Sequence, residues 1–419
     1  MKGPKPMINY SINMRMFALN VLYAVLVQKH KAKASLEYIC QQHDFPSRDA
    51  ALLREMVYGV LRHYFTLEAD VSRFIKQKPE DKSRVALLLG AYQLRHMRIP
   101  NHAAVSETVA AIKPYAPQDA GFINAVLRKV SSSEPPTKYK PHQRVELPKW
   151  MYSSWRDALG ADAVQTMMDV CQQTPNTCIA VLGERSAWIE KAEAQGFSVQ
   201  EGALSPYAIL LAPNTNITTL PEYDSGGFIV MDQAPQVATL AVSLAHKTGR
   251  ILDLCAAPGG KTALLAHRFP KASITAVELN PKRIPRLQEN MARLTLANVE
   301  VIQADASSLP YADNSIDAIM LDAPCSASGT LRRHPDAKFL HDKTSVEEAV
   351  KLQTLLLKEA LRVLKIGGTL VYAVCSIHKE ENEAVVNPFK GVQSTQRLLP
   401  SDTHDGFFFA QIIKQETIE

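Results

Sequence analysis

Ile251-Leu252-Asp253-Leu254-Cys255-Ala256-Ala257-Pro258-Gly259-Gly260-Lys261-Thr262 is the stretch that decides the fold. Its first residues are apolar around one aspartate and read as a short buried strand, and Pro258-Gly259-Gly260 ends it. Thr262–Phe269 then carries helical spacing. A strand, a glycine turn and a helix let a ligand approach backbone N–H groups at the helix N-terminus. Gly260-Lys261-Thr262 imitates the end of a phosphate-binding P-loop, but that motif needs a glycine where Cys255 stands. The dinucleotide fingerprint G-x-G-x-x-G is also missing. A nucleoside-binding turn remains.

Working outward, the apolar segments Ile251–Cys255, Ile274–Leu279, Val299–Ala304, Ala318–Leu321 and Thr369–Val374 read as strands. Thr262–Phe269, Arg283–Leu294 and Val346–Leu364 read as the helices between them. This alternation predicts a doubly wound parallel sheet, with ligands at the carboxyl ends of its strands. Glu278 ends the second strand, eighteen residues after Gly260, a spacing that suits a carboxylate accepting from ribose hydroxyls. Asp305 ends the third and can accept from an adenine amino group. Glycines that merely turn the chain and acids that merely face solvent are common singly. Three such features on successive strand ends are not.

The fourth strand runs into Asp322-Ala323-Pro324-Cys325-Ser326 and the last into Val374-Cys375-Ser376. A buried free cysteine is ordinarily a small hydrophobe. Here each follows a strand on the edge that carries the glycine turn. A thiol of ordinary pKa, ~8.5, already supplies a few per cent of thiolate, a strong nucleophile, at neutral pH.

The 419 residues suffice for several domains. Ordinary proportions of apolar (46%) and charged (21%) residues exclude a disordered or fibrous chain. No apolar run reaches the ~18 residues of a membrane span. The net charge of +5 hides an asymmetry: residues 1–145 hold 22 basic and 11 acidic side chains, so the remainder is net acidic. A basic module that meets a polyanion is expected. Arg48, Arg54, Arg62, Arg84 and Arg128 are its candidates for phosphate contact, set against the ordinary reading of a charged, solvated face. Six scattered cysteines without C-x-x-C suggest neither a disulfide framework nor a metal, and none is expected. Lys2, Lys5 and Arg15 before the apolar run Phe17–Val27 imitate a leader peptide. Asn20 and the lysines at 29, 31 and 33 argue for a first helix in a cytoplasmic protein instead.

Helical periodicity at 51–61, 85–94 and 103–112 predicts an all-α domain over residues 1–130. Serines and prolines make 131–147 a linker by composition. Residues 148–225 read as a small α+β module, with a helix at Pro148–Ala158, another at Ser186–Gln195, and strands at Cys178–Leu182 and Ile209–Leu211. Residues 226–419 form the domain of the parallel sheet.

Asp253–Thr262, Asp322–Ser326 and Tyr372–Ile377 together resemble the S-adenosylmethionine-binding, Pro-Cys and Thr-Cys motifs of the RNA cytosine-C5 methyltransferases. Gly329–Asp336, with Arg332, Arg333, His334, Pro335 and Asp336, is similar to that family's loop after Pro-Cys. Phe228–Pro235, with Asp232, Gln233 and Ala234, is similar to its approach to the sheet. Leu88–Arg95 and Gly121–Arg128 resemble a NusB-like RNA-binding domain. The fusion resembles the bacterial RsmB (Sun/Fmu) subgroup, which modifies 16S ribosomal RNA.

The resemblance implies a multidomain chain. A NusB-like helical domain precedes an RRM-like α+β module and a Rossmann-like methyltransferase sheet. It implies S-adenosylmethionine as methyl donor, 16S ribosomal RNA as partner, and a monomer that neither uses a metal nor enters a membrane. Cofactor contacts would come from Cys255, Ala256, Ala257, Pro258, Gly259, Gly260, Lys261, Glu278, Asp305 and Asp322. Cys375 would attack C6 of cytosine and so make C5 able to take the methyl group, Asp322 would hold the base edge, and Cys325 would serve release. Lys261 is open between the cofactor and a side chain near the thiols. Three departures stand out. Val374 replaces the usual Thr, relaxing positioning, Glu278 replaces a frequent Asp, and a short 383–405 segment suggests a trimmed final hairpin. The rival readings are the same chemistry on tRNA or another RNA, and a non-catalytic RNA-binding assembly factor.

Overall fold

The computed structural model describes residues 13–416, so Lys2 and Lys5 of the leader-like pattern lie outside it. The chain divides into two compact units. One takes the residues up to Ser153 together with His334–Leu340, and the other takes Ser154–Arg333 and His341 onward.

The first unit is helical. The apolar run near the amino terminus forms the helix Met14–Leu26, with Asn13 accepting from Arg15 N as its cap. Phe17, Leu22 and Val25 pack into one core with Leu53, Val57, Leu88 and Leu127 from Ser47–Arg62, Asp81–His96 and Ala120–Ser131. The expected linker is more ordered than its composition suggests. Residues 141–144 form a helical turn, and buried Glu146 accepts from Phe65 N (2.7 Å) and Thr66 N (3.1 Å). A carboxylate there satisfies N–H groups that the helix Tyr64–Ser72 leaves unpaired. His334–Leu340 completes this unit. Asp336 accepts from Ala32 N (2.9 Å), and Lys338 donates to Arg62 O (3.1 Å) and Glu146 O (2.8 Å).

The second unit has two sheets. The smaller is antiparallel, in the order β2-β3-β1-β4, from β1 (Thr177–Val181), β2 (Val199–Glu201), β3 (Ala208–Leu211) and β4 (Phe228–Val230). Val181 pairs with Phe228, so this module runs past the expected boundary at 225. The larger sheet contains β5 (Arg250–Leu254), β6 (Ser273–Glu278), β7 (Val299–Gln303), β8 (Ile316–Asp322), β9 (Leu364–Val374), β10 (Val392–Leu398) and β11 (Phe407–Ile413). Its order is β10-β11-β9-β8-β5-β6-β7. All neighbours are parallel except β11 with β9 and β10 with β11. The final hairpin is not trimmed. Its strands pair from Leu398↔Phe407 to Val392↔Ile412, because the short segment before Asp405 holds β10 itself.

Alternation sorts the sheet's side chains. Leu252, Leu254, Ile319, Leu321, Leu370 and Tyr372 pack on one face with Leu356, Leu357 and Ala360 of the helix Lys343–Val363. Ile251, Ala318, Met320, Val371 and Ala373 pack on the other, with Ala234 and Leu265 of the helices Gln233–Leu240 and Gly260–Arg268. Both faces are covered, as parallel sheets require.

At the turn after β5, Gly259 has φ +101° and a Cβ there would come within 2.6 Å of Met291 and 2.7 Å of Leu287. Gly259→Ala combines left-handed strain with overlap and is expected to cost about 1–3 kcal/mol. A thermal midpoint equal to the parent's would contradict this account of the turn.

Candidate active site

The strand order places the sequence motifs side by side. β5, β8 and β9 are neighbours, so the glycine turn, the Asp322–Ser326 loop and the Cys375–Ser376 loop leave the sheet at one edge. Glu278 closes β6, and Asp305 follows β7 by two residues rather than ending it.

Lys261, the second residue of its helix, lies on the thiol side of the turn. Its Nζ donates to Asp322 Oδ2 at 2.6 Å and sits 5.7 Å from the centre of the Phe407 ring. Burial alone would lower the Lys261 pKa, but the charge and hydrogen bond of Asp322 outweigh it and hold the ammonium above its ordinary value. The alternative left open for Lys261 therefore goes to a side chain near the thiols. Beneath it, Asp253 is fully buried, accepts from the Thr262 hydroxyl, and is pushed up to about 7 by burial.

The thiols of Cys325 and Cys375 are 3.4 Å apart. Hydrogen bonding to Cys375, then burial, holds the Cys325 pKa well above the ordinary thiol value. Cys255 is close in sequence to the turn but inert, since burial and then the charge of Asp322 push it up to about 12.

On the other side of the turn, Glu278 is buried. Its Oε2 accepts from Ala257 N (3.3 Å) and pairs with Arg283 Nη1 (3.1 Å), and its Oε1 accepts from Asn280 N (2.9 Å). Two carboxylate oxygens offer about four lone-pair positions, so Oε1 has capacity for one more donor. Arg283, which also donates to Ala257 O, is a site residue that strand-end reasoning did not find. Asp305 is exposed, and backbone and hydroxyl hydrogen bonds from Ser307 keep it below the usual carboxylate range. An open acid, a buried acid with spare acceptor capacity and a glycine turn form a donor and acceptor set that fits an adenosine-bearing sulfonium.

The remaining motif residues are struts. Asp232 caps Gln233–Leu240 and pairs with Arg333 (3.0 Å), which also binds Asp405 (2.6 Å) and Asn176 O. Arg332 donates to Ser401 O and Asp402 O. Gln233 accepts from Leu204 N and donates to Thr403 O. Among the arginines expected to meet phosphate, Arg48, Arg54 and Arg128 are exposed. Arg62 and Arg84 are only partly so, and Arg84 donates to the Tyr64 hydroxyl at 2.6 Å.

The order of the seven strands and the glycine turn at their carboxyl edge define an S-adenosylmethionine-dependent methyltransferase fold. The chain belongs to the RsmB/F family: the model described as 16S rRNA methyltransferase RsmB/F matches residues 241–407, and the NusB family matches residues 12–132. It is 34% identical to the ribosomal RNA small subunit methyltransferase B of Erwinia tasmaniensis over 96% of this chain and 99% of that one. For the enzyme of the same description from Shewanella oneidensis the identity is 32%, over 96% and 99%. The crystal structure of PH0851 superposes with a TM-score of 0.79 at 22% identity, over 96% of this chain and 99% of that one. NSun6 from Pyrococcus horikoshii with SFG gives 0.56 at 19%, over 64% and 99%. These two structures share the fold. Among the described residues, no helix is long and apolar enough to cross a membrane, and no group of His, Cys, Asp or Glu side chains could hold a metal ion.

Asp253 makes the stability of this site depend on pH. Its folded pKa of about 7 stands above the ordinary 3.8, so its contribution is fully present below pH ~4 and is lost as the pH rises through 7. Denaturant unfolding of Asp253→Asn against the parent should therefore favour the variant progressively from pH 5 to pH 8, by of order a few kcal/mol. A difference that does not change with pH would remove the assignment.

Proposed function

We propose that this chain transfers a methyl group from S-adenosylmethionine to C5 of a cytosine in 16S ribosomal RNA, through a covalent bond between Cys375 and C6. The observation that carries the reading is the pair of thiols 3.4 Å apart, next to the Lys261–Asp322 ion pair. A single nucleophile needs one cysteine. A cycle that must also break the adduct can use a second, and Cys325 stands in hydrogen-bond contact with Cys375.

When bound, S-adenosylmethionine supplies an electrophilic methyl group on a sulfonium. Glu278 and Asp305 hold its adenosine through the ribose hydroxyls and the adenine amino group. Cys255 to Lys261 shape the turn against it, with Cys255 as packing. Asp322 accepts from the N4/N3 edge of the cytosine and favours protonation there, and Lys261, 2.6 Å from Asp322 Oδ2, holds the carboxylate in place. The Cys375 thiolate adds to C6, and the electron pair of the C5–C6 double bond then attacks the methyl group from C5, which would break the S–CH3 bond and leave its electron pair on sulfur as S-adenosylhomocysteine. Water takes the C5 proton, the C5–H electron pair re-forms the double bond, and the C6–S bond breaks with its electron pair returning to Cys375. Cys325 serves this release step. The target cytosine must be splayed out of any stack to reach this edge. A cytoplasmic setting follows from an RNA substrate, and we assign the chain to that compartment.

The two cysteines give the decisive test. Cys375→Ala should bind S-adenosylmethionine and transfer no methyl group. Cys325→Ala should methylate and then stall, leaving a protein–RNA complex that survives denaturing electrophoresis. The double variant should show no such complex. Complexes trapped by Cys375→Ala and lost in Cys325→Ala would reverse the two roles.

The basic amino-terminal unit supports an RNA footprint. If Arg48, Arg54 and Arg128 each neutralise one phosphate, their joint replacement by alanine should flatten the log–log dependence of RNA affinity on salt by about 2, at roughly 0.7 per single-strand contact. Titration of the parent and the triple variant with 16S ribosomal RNA measures it. Equal slopes would make these charges incidental.

A further inference from the structure

Behind the thiols lies a carboxylate that the chemistry above does not use. Glu381 belongs to Lys379-Glu380-Glu381-Asn382-Glu383, a run that reads as solvated surface, yet its side chain is fully buried. Oε1 accepts from Ser326 N (2.9 Å) and from Gln353 Nε2 (3.1 Å), and Oε2 accepts from the hydroxyls of Ser326 and Ser376. Ser326 directly follows Cys325, and Ser376 directly follows Cys375. One carboxylate therefore binds the residue beside each thiol. The Ser328 hydroxyl lies 3.1 Å from both serine hydroxyls and accepts from Ile377 N (3.0 Å).

Glu381 is itself fixed. Its carbonyl accepts from the Tyr372 hydroxyl at 2.7 Å, and Asn382 Nδ2 donates to Ser376 O at 3.1 Å. Gln353 also donates to Pro324 O (2.9 Å), so the helix Lys343–Val363 holds the other end of the Cys325 loop. An uncompensated buried carboxylate costs several kcal/mol, and here hydrogen-bond donors from both loops compensate it. The chemistry of the donors explains the residue type. Two N–H groups and two hydroxyls converge on two oxygens, a set that an acceptor-only group satisfies completely.

We propose that Glu381 is the positioning residue of the thiol pair, tying the Cys325 loop to the Cys375 loop so that the two sulfurs keep the separation the reaction cycle needs. This rests on the two-thiol reading above. Its charge acts in the same sense as its geometry, because it adds to the influences that keep Cys325 protonated. A glutamine is nearly isosteric. Its oxygen can face Ser326 N and Gln353 while its NH2 faces the hydroxyls, which reverse to accept. Glu381→Gln thus keeps the packing and removes the charge, whereas Glu381→Ala removes the tie.

The test uses the full chain, unmethylated 16S ribosomal RNA transcript and labelled S-adenosylmethionine. A misplacement of about 1 Å between reacting groups can cost ~100-fold, so Glu381→Ala should lose kcat on that scale while KM for S-adenosylmethionine stays at the parent's value. Glu381→Gln should lose less, with an unchanged thermal midpoint. A second readout needs no turnover. Diamide, which takes up two hydrogens as two neighbouring thiols join, should link Cys325 to Cys375 rapidly in the parent and slowly in Glu381→Ala, as followed by peptide mass. Parent-like kcat and linking rate in Glu381→Ala would overturn the proposal. So would a fall in thermal midpoint and cofactor affinity in Glu381→Gln that accounts for its lost activity, which marks a purely structural residue. Cys375→Ala serves as the control. If it still transfers methyl groups the two-thiol reading fails, and the linking rate alone then decides the role of Glu381.

Discussion

The parallel pairing of β8 with β5 on one side and β9 on the other governs everything at the site. Leu254 pairs with Leu321, and Asp322 pairs with Ala373. Through that register the chain leaves β5 at Cys255, β8 at Ala323 and β9 at Cys375 on one edge. A one-residue slip in any of these strands would turn its side chains to the opposite face. Leu370, Tyr372 and Val374 would then face the wrong helices, and the loop beyond would carry its cysteine away from its partner. The apolar packing on both faces thus sets the geometry of the two sulfurs, with Cys325 packed against the first face and Cys375 against the second.

Electrostatics at this edge is a matter of several acids sharing little water and one ammonium. Burial works against the Lys261 ammonium, and the charge and hydrogen bond of Asp322 are the main influences that hold it above its ordinary value. The same acids make ionisation harder for Cys255. Burial, and then the charges of Asp322, Glu278 and Asp253, push it up to about 12, so its sulfur is only packing. The surroundings of Cys255 thus withdraw its sulfur from chemistry, although it stands next to the glycine turn.

Much of the site was legible in the sequence because its parts are local. A strand, a glycine turn and a helix follow one another within a dozen residues at 251–262, and Asp322 and Cys325 share one loop. What stayed hidden depends on distant pairs. Glu381 meets Ser326 across 55 positions, and nothing in a run of charged residues announces that one of them is buried. Arg283 is an ordinary helix-start arginine until the turn after β5 brings Ala257 O beneath it. The linker at 131–147 misled for the opposite reason. Its serines and prolines suggest freedom, while the single carboxylate of Glu146 anchors its end to the helix Tyr64–Ser72. β10 was missed because its sequence is polar on the edge of the sheet, and its pairing with the aromatic β11 supplies what its own composition lacks.

Val374, where the related motif has threonine, suggests looser control of the cysteine that follows. In the structure that side chain is fully buried on the face shared by Leu321, Tyr372 and Phe408, and its backbone pairs with Phe408. A hydroxyl there would need a partner within apolar packing, and a valine needs none, which is why exchange between the two is not conservative. The departure therefore bears on the packing of β9 rather than on the thiol. Control of Cys375 comes from its other side, where Ser376 is held by a carboxylate and its carbonyl by Asn382. The residue before Cys375 is thus set by the core, while the residue after it is tied to a carboxylate.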